Sequence, residues 1–375
     1  MVGTGLIGTS LGIALSQRGF DVTLSDPSPT AVRLARDLGA GRLATDADAD
    51  DGAAPELVVV AAPPDVAGAV VVAQLSRWPE AVVTDVASVK GSVARWVRGH
   101  GGELARYVGS HPMAGRERSG AMAARADLFE GRAWVVVPTT ESTPYAVDLT
   151  REVARAVGSV VTVMDAAEHD AAVAVVSHVP QVAASLVAGR LRELSDDAVA
   201  LAGQGLRDVT RIAASDPHLW TQILAGNAEA VREVLVDLRA DLDTVIAALS
   251  GLVEPPEPEQ PVTGSPGGAT TADAPGSLAA VSRAISEGNT GHARIPGKHG
   301  GGPTAYATVV VVVPDTPGAL ATLLTDVGAA GVNLEDLRLD HGLGLPFGLA
   351  EVDVLPTAVA HLQTALAARG WRVHD

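Results

Sequence analysis

The sequence contains no cysteine. Disulfides, thiolate nucleophiles and Cys-ligated zinc are therefore excluded, and the composition fits a reducing compartment. Aromatic residues make up only 3%, which disfavours binding of single strands by serial base stacking. Basic residues are in deficit as well: 27 Lys and Arg stand against 44 Asp and Glu, for a formal net charge of −17. Such a surface repels a phosphate backbone, so nucleic acid is not an expected partner. An anionic small molecule is compatible only where basic groups gather locally. No uninterrupted apolar run of 18 residues occurs and no basic-then-apolar leader opens the chain. Neither a membrane span nor a signal peptide is expected, and a cytoplasmic location is. The 10 histidines are scattered, with no His-Glu-x-x-His spacing, so no metal is expected.

What the chain does have is apolar bulk. Hydrophobic residues make up 47% of its 375 residues, and at about 150 residues per domain this length points to two or three domains. Up to residue 164, short Val-rich runs alternate with helix-like stretches. Asp21–Ser25, Glu56–Ala61, Ala81–Thr84, Ala133–Val137 and Ser159–Val163 are β-branched and bounded by Gly, Pro or Asp. They are expected as buried strands of a mostly parallel sheet, so that 1–164 forms a Rossmann-type α/β domain. From 165 to 252 apolar residues recur at helical spacing without a strand-like run, which predicts an all-α domain. The Pro-rich stretch from Glu254 to Pro261 and the Gly, Ser and Thr after it cannot offset their ordering entropy by burial. Residues 253–304 are expected as a linker with one short helix near Ser277–Glu287. Residues 305–375 follow the ferredoxin-like order βαββαβ. The strands are Thr308–Val313, Asn333–Asp340, Leu349–Leu355 and Trp371–His374; the helices are Pro317–Gly331, opened by Asp315 or Thr316, and Thr357–Arg369.

Gly3-Thr4-Gly5-Leu6-Ile7-Gly8 matches the dinucleotide fingerprint and leads into a helix-like stretch. Gly3 permits the tight turn, Gly5 lets the backbone approach a pyrophosphate, and Gly8 lets helix and strand pack closely. Leu6 and Ile7 supply amides of the helix start. Asp26 closes the next strand, where a carboxylate accepts from ribose hydroxyls and repels a 2′-phosphate. The expected cofactor is NAD. Only Met1 and Val2 precede Gly3, whereas a strand normally takes about five residues, so the central strand is expected to be nearly missing.

Four further segments carry candidate chemistry. Asp85-Val86-Ala87-Ser88-Val89-Lys90-Gly91 follows a strand, and Ser88 is either a ligand-facing residue or a helix N-cap. Gly109-Ser110-His111-Pro112-Met113-Ala114-Gly115-Arg116-Glu117 places His, Arg and Glu in a Gly/Pro-shaped loop. His111 titrates near neutral pH, as a base toward a hydroxyl requires, or is a plain surface histidine. Ser177-His178-Val179-Pro180-Gln181 lies in the helical domain, with Pro180 at a kink or helix start. His178 either lines a cleft or is satisfied in the core. In Gly203–Arg211, Arg211 is a bidentate carboxylate partner or a structural ion-pair residue.

Taken together, these segments resemble the prephenate dehydrogenase family. The resemblance runs through Gly5–Gly8, Asp85–Gly91, Ser110–Glu117, Ser177–Gln181 and Gly205–Trp220, about the first 250 residues. Its specific parts are Ser-His-Pro-Met-Ala-Gly and Asp-Val-Thr-Arg-Ile-Ala. The last segment resembles an ACT domain, with Asp315–Leu320 at the strand-to-helix turn. The resemblance implies NAD-linked oxidative decarboxylation of prephenate to 4-hydroxyphenylpyruvate, in tyrosine biosynthesis. It implies that His111 takes the ring hydroxyl proton as hydride leaves, and that Ser88 positions the ring or the nicotinamide. Arg211 would hold a substrate carboxylate with Arg116 as a second cation. His178 and Gln181 would belong to the helical-domain wall, and Glu117 to a polar network near the mouth. It further implies a homodimer through the helical domain and an amino-acid effector at Asp315, Gly318 and Asn333. Two alternatives stand beside it: an arogenate dehydrogenase giving tyrosine directly, and a non-catalytic regulator that binds NAD and an amino acid.

Overall fold

The computed structural model describes residues 1–44, 54–115, 120–253, 275–295, 306–341 and 346–374. Its contacts divide into two units, Met1–Arg239 and Ala240–Asp375.

In the first unit, β1 (Thr23–Leu24) and β2 (Arg42–Leu43) form a parallel pair. Strands β3 (Leu57–Val60), β4 (Val82–Asp85), β5 (Tyr107–Pro112), β6 (Ala133–Pro138) and β7 (Val160–Val163) form a sheet in that order. Met1 and Val2 join the two. Val2 bridges Ser25 on one side and Val60 on the other, both in parallel sense. Its N–H donates to the Val59 carbonyl at 2.8 Å, and the Val2 carbonyl accepts from the Ala61 N–H at 2.7 Å. On the other side the Ser25 N–H donates to Met1 O and the Gly3 N–H to Ser25 O. The expected gap at the central strand is therefore filled: ladder partners on both flanks satisfy the short segment's backbone. The order β2-β1-Val2-β3-β4-β5 is the doubly wound arrangement, whose ligand crevice lies at the C-terminal ends of the strands where the order reverses.

Alternate residues of the central strands feed two cores. Val59 and Val82 pack with residues of α1 (Leu6–Ser16), α2 (Pro29–Asp37) and α5 (Pro144–Ala156). Val58, Val60 and Val83 pack with α3 (Pro64–Arg77) and α4 (Gly91–Gly99). This two-faced burial explains why the runs read as continuous Val rather than as alternation. Two expectations change. The sheet is mostly parallel, yet β5 and β6 run antiparallel. Ser159–Val163, expected as a buried strand, supplies the edge strand β7, whose Val160 and Val163 are exposed; β-branched residues favour a strand there without being buried.

The rest of this unit is helical: α6 (Ala166–Val173), α7 (Val179–Arg190), α8 (Asp196–Val199), α9 (Gln204–Thr210), α10 (Pro217–Gly226) and α11 (Ala228–Val253), the last running past the unit boundary. A π-helical turn, Ala174–His178, links α6 to α7, and Pro180 follows at the second position of α7, where its missing N–H removes one backbone donor from the continuous helix. By length and composition the continuous stretch Ala166–Glu193, which contains an 18-residue window of mean hydropathy 1.7, is long and apolar enough to cross a membrane. That corrects the expectation that no helix is. Isolated His, Ser, Gln and Gly residues broke the run in the sequence.

In the second unit, α12 (Pro275–His292) extends beyond the expected Ser277–Glu287. Then follow β8 (Ala307–Pro314), α13 (Ala319–Ala329), β9 (Asp336–His341), β10 (Phe347–Val354), α14 (Val359–Ala368) and β11 (Arg372–His374). The sheet order is β11-β8-β10-β9, antiparallel throughout, over a core that includes Val309, Val311, Val352, Leu323 and Leu362. Neither Asp315 nor Thr316 caps α13. Gly318 occupies the N-cap at φ 88°, a left-handed geometry open to glycine without strain. Asn333 lies before β9 rather than in it, and its side-chain amide donates to Glu335 Oε1 at 2.7 Å.

Candidate active site

The glycine loop is shaped by close approach. A Cβ at Gly3, where φ is +96°, would stand 2.4 Å from the Ala61 carbonyl oxygen, and one at Gly8 would stand 2.0 Å from that of Gly3. At Gly5 nothing lies within 4 Å of the same position. Gly5 is the N-cap of α1, no side chain caps the helix, and its first turn, with Leu6, Ile7 and Gly8, carries no acidic residue. An open helix N-terminus of this kind suits an anion. Asp26 is fixed beside it: Oδ2 accepts from the Thr4 N–H at 2.7 Å and the Thr4 hydroxyl at 2.9 Å, and Oδ1 accepts from the Ser28 N–H at 2.8 Å. These residues fit the pyrophosphate and adenosine ribose of NAD.

His111 stands on β5, not in the loop that Gly109 and Pro112 pointed to, and it is only 8% exposed. Its Nδ1 meets Nε2 of His169 at 2.9 Å, and His169 Nδ1 meets Asp170 Oδ1 at 2.8 Å. Burial alone would raise the Asp170 pKa. Hydrogen bonds from His169 and from the backbone N–H groups of Lys90 and Gly91 outweigh burial, and its pKa ends below the usual carboxylate value. The carboxylate can only accept, so His169 carries its proton on Nδ1 and accepts at Nε2. His111 must then donate from Nδ1, which leaves its Nε2 unprotonated. Burial, followed by the charges of His169, Lys90 and His178, holds the His111 pKa well below the ordinary imidazole value. A buried chain of three groups thus keeps a neutral imidazole with one defined basic nitrogen.

His178 takes the opposite tautomer. The Asn227 side-chain amide donates to the Asp170 carbonyl at 2.7 Å, which fixes its orientation, and its Nδ2 also meets His178 Nδ1 at 3.2 Å. His178 therefore accepts at Nδ1 and carries its proton on Nε2. It is buried edge-on to Trp220, with ring centroids 6.1 Å apart. Burial pushes its pKa down to about 4; Asp170 opposes the fall and His169 adds to it. In the unfolded chain His178 regains its ordinary value near 6.5, so unfolding takes up a proton below that pH. Stability is accordingly expected to fall as the pH drops from about 6.5 toward 4. Thermal unfolding of wild type and His178→Gln across this range should show a shallower decline in the variant.

The other expected residues fall into place unequally. Ser88 is half-buried in the loop after β4; helix α4 starts at Gly91 with Lys90 at the N-cap, so Ser88 is not a cap. Gln181 is buried in the first turn of α7, with its amide 3.4 Å from the Ser185 and Ser215 hydroxyls. Arg211 is exposed on the 3-10 turn Arg211–Ala214, and Ser215 ties that turn to Gln181. Arg116 and Glu117 lie outside the described residues. His111 and His178 are thus brought together through His169, Asp170 and Asn227, three residues not singled out from the sequence. Their only signal was a His-Asp pair in an Ala-rich helix.

Residues 11–163 match the family described as prephenate dehydrogenase, nucleotide-binding domain, and 165–254 match its dimerization domain. A probable prephenate dehydrogenase of Streptomyces niveus (NovF) is 36% identical over 373 residues, 99% of this chain and 98% of its own length. This chain belongs to the prephenate dehydrogenase family. Membership makes it an NAD-dependent oxidoreductase. A cyclohexadienyl dehydrogenase of Zymomonas mobilis is 31% identical over 259 residues, 67% of this chain and 87% of that one. Among solved structures, the prephenate dehydrogenase of A. aeolicus in complex with hydroxyphenyl propionate and NAD+ aligns with a TM-score of 0.60 at 31% identity, covering 66% of this chain and 89% of that one. A Synechocystis arogenate dehydrogenase aligns at 0.57 and 27%, covering 66% and 90%.

Proposed function

We propose that this prephenate dehydrogenase family member converts prephenate to 4-hydroxyphenylpyruvate and CO2 in tyrosine biosynthesis. The observation that carries the reading is the His111–His169–Asp170 chain, which ends on a bare imidazole nitrogen at the same strand-end edge as the glycine loop. NAD, when bound, supplies the hydride acceptor. His111 Nε2 takes the proton of the ring hydroxyl at the carbon that loses hydride. The electrons of the ring-to-carboxylate bond return to the ring as CO2 departs, the ring becomes aromatic, and its oxygen takes back the proton held on His111. The charge that forms on His111 is met by the Asp170 carboxylate through His169. His178 offers an Nε2–H to an anionic oxygen. Arg211 and Arg116 bind the carboxylates of the dianion, a local cationic focus in an acidic chain. Ser88 positions the ring or the nicotinamide, Gln181 faces the side chain, and Glu117 belongs to a polar network at the mouth.

Arogenate is the second reading, since the relatives include a cyclohexadienyl and an arogenate dehydrogenase. The β11-β8-β10-β9 sheet supports an ACT-type module in the second unit, with an amino-acid effector at Asp315, Gly318 and Asn333. Exposed Val175, Val176 and Leu186 on the helical part support burial by a second copy in a homodimer. We place the enzyme in the cytoplasm. Mixing the protein with NAD and prephenate should raise the NADH absorbance band, more strongly than with arogenate, and added tyrosine should depress the rate. A stronger response to arogenate selects the second reading; no response to either leaves the regulator.

A further inference from the structure

A buried cation lies behind the histidine chain. Lys90, Asp85 and Tyr107 are all fully buried where β4, β5 and the start of α4 meet. The Lys90 ammonium donates to Asp85 Oδ1, and to the Ser110 carbonyl oxygen at 2.7 Å. Asp85 also accepts from the Tyr107 hydroxyl at 2.7 Å and the Ala87 N–H at 3.0 Å, and Ser110 Oγ donates to the Asp85 carbonyl at 2.8 Å. The backbone of the same segment reaches the other way. The Lys90 N–H donates to Asp170 Oδ1 at 2.9 Å and the Gly91 N–H to Oδ2 at 2.8 Å. One residue thus holds both ends of the chain. Its side chain fixes the carbonyl directly before His111, and its amide fixes the carboxylate on which the relay ends.

A buried ion pair is a poor source of stability, because desolvation offsets its attraction. A different role accounts better for the charge. We propose that Lys90 is a positioning residue for His111, setting both the place of the imidazole and its neutrality. This rests on the reading of His111 as the base. The charged and titratable groups around His111 are Lys90, His169 and His178, with Asp170 and Asp85 beyond them. Burial lowers the Lys90 pKa, and Asp85 and then Asp170 oppose that fall. A cation beside His111 disfavours the imidazolium, so its removal makes His111 easier to protonate.

Lys90→Met removes the charge and both side-chain hydrogen bonds. It is expected to lower kcat about 10- to 100-fold with little change in KM for the substrate turned over. The acid limb of the kcat–pH profile is expected to move upward by about one pH unit. Lys90→Gln keeps a donor without the charge, and should show the same limb shift with a smaller loss of kcat. Lys90→Met leaves Asp85 without a counter-ion. The Asp85→Asn/Lys90→Met double variant therefore keeps the measurement open should the single one not fold, with a smaller shift in the same direction. An acid limb at the wild-type pH in a folded variant, or a loss confined to KM, overturns the role of Lys90. His111→Asn separates the two readings: if it retains turnover, the base assignment fails whatever the Lys90 variants do.

Discussion

His111→Asn is expected to lower kcat by about 100- to 10,000-fold, the range over which a positioned general base contributes, with NAD binding unchanged. Asparagine offers an amide that can still donate toward His169, so the strand and the chain behind it keep their shape. What it lacks is a nitrogen able to hold the hydroxyl proton. The residues proposed to hold NAD, Gly3–Gly8 and Asp26, have no bond to His111. Kcat from NADH formation and a dissociation constant for NAD from fluorescence, measured on one preparation, check both halves. Turnover at the wild-type rate would remove His111 from the chemistry.

Asp170→Asn should cost a comparable factor by another route. Three donors face the Asp170 carboxylate: the Lys90 and Gly91 N–H groups and His169 Nδ1–H. A carboxamide has one acceptor oxygen, and its NH2 group opposes a backbone donor in either orientation: the Lys90 N–H at the Oδ1 position, the Gly91 N–H at the Oδ2 position. At the Oδ1 position it also faces His169, whose ring, unlike the backbone, can yield. His169 then accepts at Nδ1, which moves its proton to Nε2 and turns His111 to accept at Nδ1. His111 then carries its proton on Nε2, pointed at the hydroxyl it should deprotonate. A loss of about 100-fold or more in kcat is expected. Nitrogen-15 chemical shifts of the histidine rings should show both tautomers exchanged relative to wild type. Loss of rate with unchanged tautomers would mean that Asp170 acts through charge alone.

The sequence displays the sheet plainly where strands are buried on both faces, since β3 and β4 must then be nearly all β-branched. It hides β5, because the strand that carries His111 also contains Gly109, Ser110 and Pro112, residues that locally favour turns. The glycine loop and Asp26 are legible because close backbone approach admits only one residue type at Gly3 and Gly8. His169, Asp170 and Asn227 are not legible. Each is a single polar residue on a helix, indistinguishable by spacing from a solvated face, and its meaning comes only from partners many residues away.

The π-helical turn at Ala174–His178 has a consequence for how the two histidine rows align. Nine residues of regular α-helix would place His178 half a turn round the axis from His169, on the opposite face. The wider turn takes back roughly a quarter of a revolution, so the two imidazoles stand about a quarter turn apart on one polypeptide rod instead of back to back. The loosened coil acts as a phase adjuster, and its length sets the angle between the acceptor imidazole and the donor imidazole.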